Sequence, residues 1–181
     1  MKRVSLVVLS VLMAFAMMFA TVGCGNSDEQ VIKKGLTEEL NQFKDPNSDV
    51  WQKDFKSALS EFEGYGINSQ DLVSAWTDGF KFEIGTITVD GDKATAEVTI
   101  TCKQFYPAVT AATNALTSDP SISNLSMDEM MVKYTERVIT ELKQSSPAST
   151  TISISCTKVG NTWSVGLSSG SEVASALLGS M

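Results

Sequence analysis

From Phe80 onward the apolar residues of this chain change their spacing, and that change limits the fold more than any other feature. Phe80, Phe82 and Ile84 alternate with Lys81 and Glu83; after Gly85, Ile87 and Val89 alternate with Thr86 and Thr88. A period of two places alternate side chains on opposite faces of a β-strand. The slip of phase at Gly85 predicts a β-bulge. Asp90-Gly91-Asp92 predicts a tight turn, since Asp-Gly favours the positive φ that such turns need. The return stretch KATAEVTITCK then carries Ala94, Ala96, Val98, Ile100 and Cys102 on one face. A second hairpin follows the same plan: TTISISCTKV, a Gly160-Asn161 turn and TWSVGLS, with Ile152, Ile154, Cys156, Trp163, Val165 and Leu167 facing inward.

Elsewhere the spacing is helical. Val31, Leu36, Leu40 and Phe43 recur on one side until Asp45-Pro46-Asn47-Ser48 breaks the run. Val50, Trp51, Phe55, Leu59 and Phe62 mark a second helix, and Asn68 or Ser69 caps a short third one carrying Leu72, Val73 and Trp76 before Gly79. Residues 105–144 read as helical again, with Pro107 near the start and Pro120 interrupting the middle. Ser126-Met127-Asp128-Glu129 is a capping box. It opens a long helix with Met127, Met131, Tyr134, Val138 and Leu142 on its inner side, and Ser145-Ser146-Pro147 ends it. Ser169-Gly170-Ser171-Glu172 caps a final helix with Val173, Leu177 and Leu178. The expected class is α+β: an antiparallel sheet of about four strands, in two hairpins, packed on N-terminal and inserted helices. No repeat or low-complexity linker divides the chain, so residues 32–181 read as a single domain.

The N-terminus belongs to another kind of segment. Met1-Lys2-Arg3 precedes VSLVVLSVLMAFAMMFATVGC, which has no charged residue before Asp28. Two basic residues, an apolar run and small residues at its end form an export signal, expected over residues 1–23. The run is also long enough for an uncleaved membrane anchor, which needs about 20 apolar residues. Thr21-Val22-Gly23-Cys24 resembles the lipobox of bacterial lipoproteins, with Thr21 where that family usually has leucine. The resemblance implies cleavage before Cys24, a diacylglyceryl group with further acylation such as palmitate there, and a tether over residues 24–31. The protein would then be lipid-anchored at the cell membrane, on its extracytoplasmic face. Residues 24–181 keep all 21 acidic residues and lose two of the 14 basic ones, a net charge of −9 with histidine absent. Such a balance argues against nucleic acid or an anionic lipid surface as a charge-matched partner.

The amphipathic N-terminal helices leading into FKFEIGTITVDGDKATAEVTITCK, followed by VGNTWSVGL, are similar to small bacterial lipoproteins of the nuclear-transport-factor-2-like, cone-shaped superfamily. The residues that carry this resemblance are Val89-Asp90-Gly91-Asp92-Lys93-Ala94-Thr95 and Trp163. It spans about residues 35–168, and the helical insert between the hairpins departs from the simplest form of that fold. Enzymes of that superfamily generally use buried Asp and His within the cone.

Few residues point to chemistry. Without histidine there is no Ser-His or Cys-His arrangement and no histidine base, and Glu83 and Glu97 fall on the polar strand face. The expectation is therefore no enzymatic activity and no cofactor. With Cys24 lipidated, Cys102 and Cys156 remain as a pair, either bridged or as two buried thiols. A bridge closing that 54-residue separation would contribute about 4 kcal/mol in the loop-entropy treatment. Two cysteines without histidine make a poor metal set. Asp45-Pro46-Asn47-Ser48-Asp49 starts like a calcium loop but has Val50 and Lys56 where the turn glycine and bidentate glutamate belong. The polar strand face is rich in Thr and Ser, from Thr86 through Ser164 and Ser168, and reads either as a wet surface or as a docking face for a protein or glycan. Trp51, Trp76, Phe80, Phe82, Met131 and Tyr134 read first as core and second as the lining of a site for a small apolar ligand. The functional expectation is a membrane-anchored lipoprotein with a binding or accessory role; the alternative is a carrier or sensor of an apolar molecule.

Overall fold

The computed structural model describes residues 18–20, 27–64 and 68–179. In chain order the elements are β1 (Met18–Ala20), α1 (Asp28–Gln42), a π-helical turn (Val50–Asp54), α2 (Lys56–Glu63) and α3 (Ser69–Thr77). Then come β2 (Lys81–Asp90), β3 (Lys93–Cys102), α4 (Phe105–Thr117), a 3₁₀ turn (Pro120–Asn124) and α5 (Met127–Gln144). The chain ends with β4 (Ala148–Val159), β5 (Thr162–Val165) and α6 (Leu167–Leu178). The class is α+β. One antiparallel sheet has the order β1-β5-β4-β3-β2, four of its strands coming from the two hairpins.

Local sequence rules account for most of these elements. The β2–β3 register shifts between Ile84 and Ile87, the bulge expected at Gly85. Both hairpins place a glycine of positive φ first in the turn, Gly91 at 58° and Gly160 at 63°, a conformation open to glycine at little cost. Asn68, not Ser69, caps α3 through its side chain, and the Ser126–Glu129 capping box at α5 is closed in both directions. The second helix is not continuous. Its first turn is π-helical and Phe55 separates it from α2, the Phe55 amide reaching back to the Val50 carbonyl. β5 stops at Val165, and Leu167 begins α6 instead of extending the strand.

The inner sheet face is made of Ala94, Ala96, Val98, Ile100 and Cys102 on β3, with Ile154 and Cys156 on β4 and Trp163 and Val165 on β5, all buried. Helices α1 and α6 lie against this sheet: α1 meets β1 and β2, and α6 meets β3 and β4. Helix α5 packs on α4 and α3. Ile32, Leu36 and Leu40 of α1 and Leu142 of α5 are fully buried, and Val138 of α5 is buried as well. The inner side of α5 differs from expectation at its start, where Met127 is 69% exposed; Thr135 is buried in its stead and donates its hydroxyl to the Met131 carbonyl. A threonine fits that interior because the helix itself satisfies its oxygen.

The expected bridge between Cys102 and Cys156 is corrected by the β3–β4 register. Both cysteines do face inward, but Cys102 stands opposite Ala148 while Cys156 stands opposite Ala94. Eight residues of strand therefore separate them, about 27 Å at 3.3–3.4 Å per residue. A disulfide needs Cα atoms within about 7 Å. Both thiols are free, and burial pushes each up to about 11. The Cys102 thiol donates to the Ala176 carbonyl on α6 at 3.4 Å, so it acts as a packed small hydrophobe with a local partner.

Candidate functional site

Cys24 lies outside the described residues; the first described residue after it is Ser27. Ser27 caps α1, accepting from the Gln30 amide. Asp28 follows in the first helical turn, where a carboxylate is favoured by the exposed amides of the helix start. Its carboxylate does not merely face water. Trp163 Nε1 donates to Oδ1 at 3.0 Å, and Lys158 Nζ donates to both oxygens at 2.9 and 3.0 Å. Lys158 and Trp163 are cross-strand partners on β4 and β5, and the ammonium lies 5.5 Å from the Trp163 ring centroid. Hydrogen bonds from Trp163 and then Lys158 hold the Asp28 carboxyl below its ordinary value of 3.8, with burial acting in the opposite direction.

The same hairpin holds the chain on the other side of Cys24. In β1, Met18 pairs with Ser164, Phe19 with Trp163 and Ala20 with Thr162. Thus the last described residue before Cys24 and the first helical residue after it both contact the β4–β5 hairpin. Sequence reading found Trp163 as an inward residue but missed the clamp. Its visible signal was an acid in the first turn of a helix, a pattern with many other causes.

The six proposed ligand-lining residues divide into two sets. Trp51, Trp76 and Phe80 are buried and engage other rings. Trp51 contacts Phe43, Phe55 and Trp76 at centroid distances of 5.8, 4.7 and 5.4 Å. Phe80 stacks on Phe43 at 6.0 Å and meets Phe82 at 6.4 Å, while Trp76 packs 5.0 Å from Phe105. Both indole nitrogens are satisfied by backbone, Trp51 by the Phe43 carbonyl at 3.4 Å and Trp76 by the Leu177 carbonyl at 3.2 Å. Phe82, Met131 and Tyr134 are half-buried, with Lys44 4.7 Å above the Phe82 ring.

Other polar groups are tied into the scaffold. Lys103, missed by sequence reading, has a side chain only 5% exposed; its ammonium donates to Asp78 at 2.8 Å and to the Lys143 carbonyl at 3.4 Å. That links the ends of α3, β3 and α5, and the Lys103 hydrogen bond holds the Asp78 carboxyl low. In the supposed calcium-like loop, Asp45 Oδ1 accepts from the Asn47 amide at 2.9 Å, an Asx turn. Glu83 and Glu97 are exposed on the outer sheet face, which also carries the Thr99–Thr151 and Thr101–Ser149 hydroxyl pairs at 2.9 and 2.8 Å. Among the described residues no group of three or more Cys, Asp or Glu is placed to hold a metal ion, and no helix is long and apolar enough to cross a membrane.

The fold and this site define an α+β domain whose N-terminal helix is clamped to a hairpin of its sheet. Comparison with protein-family models, with curated proteins and with solved structures gives no match.

Proposed function

We propose that this chain is a membrane-anchored extracytoplasmic lipoprotein, attached through a lipid on Cys24, whose folded domain has a non-catalytic binding or accessory role. The observation that supports it most is the arrangement around Cys24: a basic and apolar leader ending in Gly23-Cys24, then a domain that begins within a few residues and is clamped there at Asp28. A non-catalytic role is supported by the absence of histidine from the sequence and by strand carboxylates that face outward. The two hairpin sequences, around Asp90-Gly91-Asp92 and Trp163, support a likeness to the cone-shaped superfamily.

A carrier of a small apolar molecule is the alternative, and it would draw on the half-buried Phe82, Met131 and Tyr134 beside the aromatic core. Mass spectrometry of the detergent-extracted protein tests both readings. The expected spectrum shows loss of residues 1–23, an acyl-glyceryl mass on Cys24 and two reduced cysteines. An intact N-terminus would overturn the lipid anchor, and a stoichiometric co-purifying apolar molecule would favour the carrier. Replacing Cys24→Ser is expected to abolish the lipid mass while leaving the domain folded.

A further inference from the structure

The clamp at Asp28 fixes more than a helix start, because it decides which end of the sheet is nearest the attachment point. Lys93 pairs with Thr157 and Cys102 with Ala148, so the β2–β3 and β4–β5 turns share one end of the sheet. The Lys158 amide donates to the Asp92 carbonyl at 2.8 Å and joins the two turns. Asp28 is bonded to Lys158 and Trp163 at that same end, and this contact lies in the part of the chain that remains after cleavage before Cys24. Only residues 25–27 lie between Cys24 and Asp28. Four steps of chain reach at most about 14 Å. The opposite end of the ten-residue β3 lies about 30 Å away at 3.3–3.4 Å per residue.

At the near end stands Val159, which is 75% exposed and, with Met127, is one of the two large hydrophobic side chains so exposed among the described residues. It is the last residue of β4, directly before the Gly160-Asn161 turn. Asp28, Glu29, Asp90 and Asp92 surround this end together with Lys93 and Lys158. That mixture gives no basic patch for anionic headgroups, so the surface it suits is zwitterionic. One apolar side chain beside a short tether gives proximity and orientation, with the lipid on Cys24 supplying the affinity.

We propose that the end of the sheet carrying the β4–β5 turn, led by Val159, is the membrane-facing end of the domain, held against a zwitterionic lipid surface by the short segment between Cys24 and Asp28. The inference rests on lipidation of Cys24. It predicts that the far end, around Ser146 and the Cys102–Ala148 pair, projects away from the bilayer. The outer Thr/Ser sheet face would then stand roughly upright on the membrane.

Two variants of the processed, lipid-bearing protein, Val159→Cys and Ser146→Cys, place a maleimide fluorophore at either end, both positions being exposed. Cys102 and Cys156 are buried with thiols pushed up to about 11, so labelling is directed to the introduced cysteine. Each labelled protein is reconstituted into phosphatidylcholine vesicles, with and without headgroup-nitroxide lipid. The expected result is strong nitroxide quenching at position 159 and none at position 146. Inserting ten Gly/Ser residues between Asn26 and Ser27 is expected to remove most of that contrast. Equal quenching at both positions, or more at 146, would overturn the orientation. Contrast that survives the insertion would overturn the short tether as its cause. Failure of the lipid reading looks different: no acyl mass, a second fluorophore on Cys24 and no flotation with the vesicles.

Discussion

At the residue scale, one carboxylate connects the start of the folded domain to its sheet. Asp28 accepts from an indole and an ammonium on adjacent strands, and those bonds favour its charged form. Its folded value lies below its ordinary one, so the stabilisation is fully present above the ordinary aspartate range and is lost as pH falls through the lowered folded value. Asp28→Asn keeps the size and removes the charge. Urea unfolding from pH 7 down to pH 3 should show the wild type more stable at neutral pH, with the difference shrinking toward the acid limit. A pH-independent difference would mean that the clamp acts through packing alone. The residues of this clamp come from distant parts of the chain, Asp28 and Trp163 being separated by 135 positions. No local pattern reports such a pairing. The cysteines show the converse. Their inward phase was legible in the alternation, but only the register shows that they stand eight residues apart along the ladder.

At the scale of elements, boundaries marked by short-range chemistry were readable. The Gly85 bulge, both Gly-first turns and the Ser126–Glu129 box each depend on residues within a few positions of one another. Elements shaped by packing were not. The π-helical turn at Val50–Asp54 allows Trp51 and Phe55 to approach at 4.7 Å within the aromatic core. Leu167 could continue an apolar strand phase, yet the chain leaves the sheet at Gly166 to lay α6 beneath β3 and β4. The edge strand β1 was invisible beforehand because its residues belong to an apolar run that reads as an export signal. It has a measurable consequence. A chain beginning at Cys24 lacks β1, and hydrogen exchange should then be faster for the β5 amides that face away from β4, with β3–β4 unchanged relative to the full-length chain. Equal protection of β5 in both chains would show that the pairing with Met18–Ala20 contributes nothing to that edge.

At the scale of the whole molecule, the two faces of the sheet have different duties. The inner face is joined to an aromatic cluster in which Phe43, Trp51, Trp76, Phe80 and Phe105 touch in series. Truncating Trp51→Ala removes rings' worth of contacts from its centre and should cost about 3–5 kcal/mol in denaturant unfolding. Thr151→Ala on the outer face loses one exposed hydroxyl pair and should change stability by no more than about 0.5 kcal/mol. Comparable losses at the two sites would mean that the outer face is also buried against something in the protein as isolated.

By itself, the sequence determined the α+β class, the two hairpins, the inward phase of their four strands and the distinct character of the segment ending at Cys24. Those follow from periodicity and turn chemistry, which act over a few residues. The tertiary structure alone decided which inward residues meet: two free cysteines at opposite ends of one ladder, a buried lysine joining three element ends, and Asp28 on Trp163 and Lys158. Contacts between segments far apart in the chain depend on strand register and helix placement, and these are settled when the whole core closes at once.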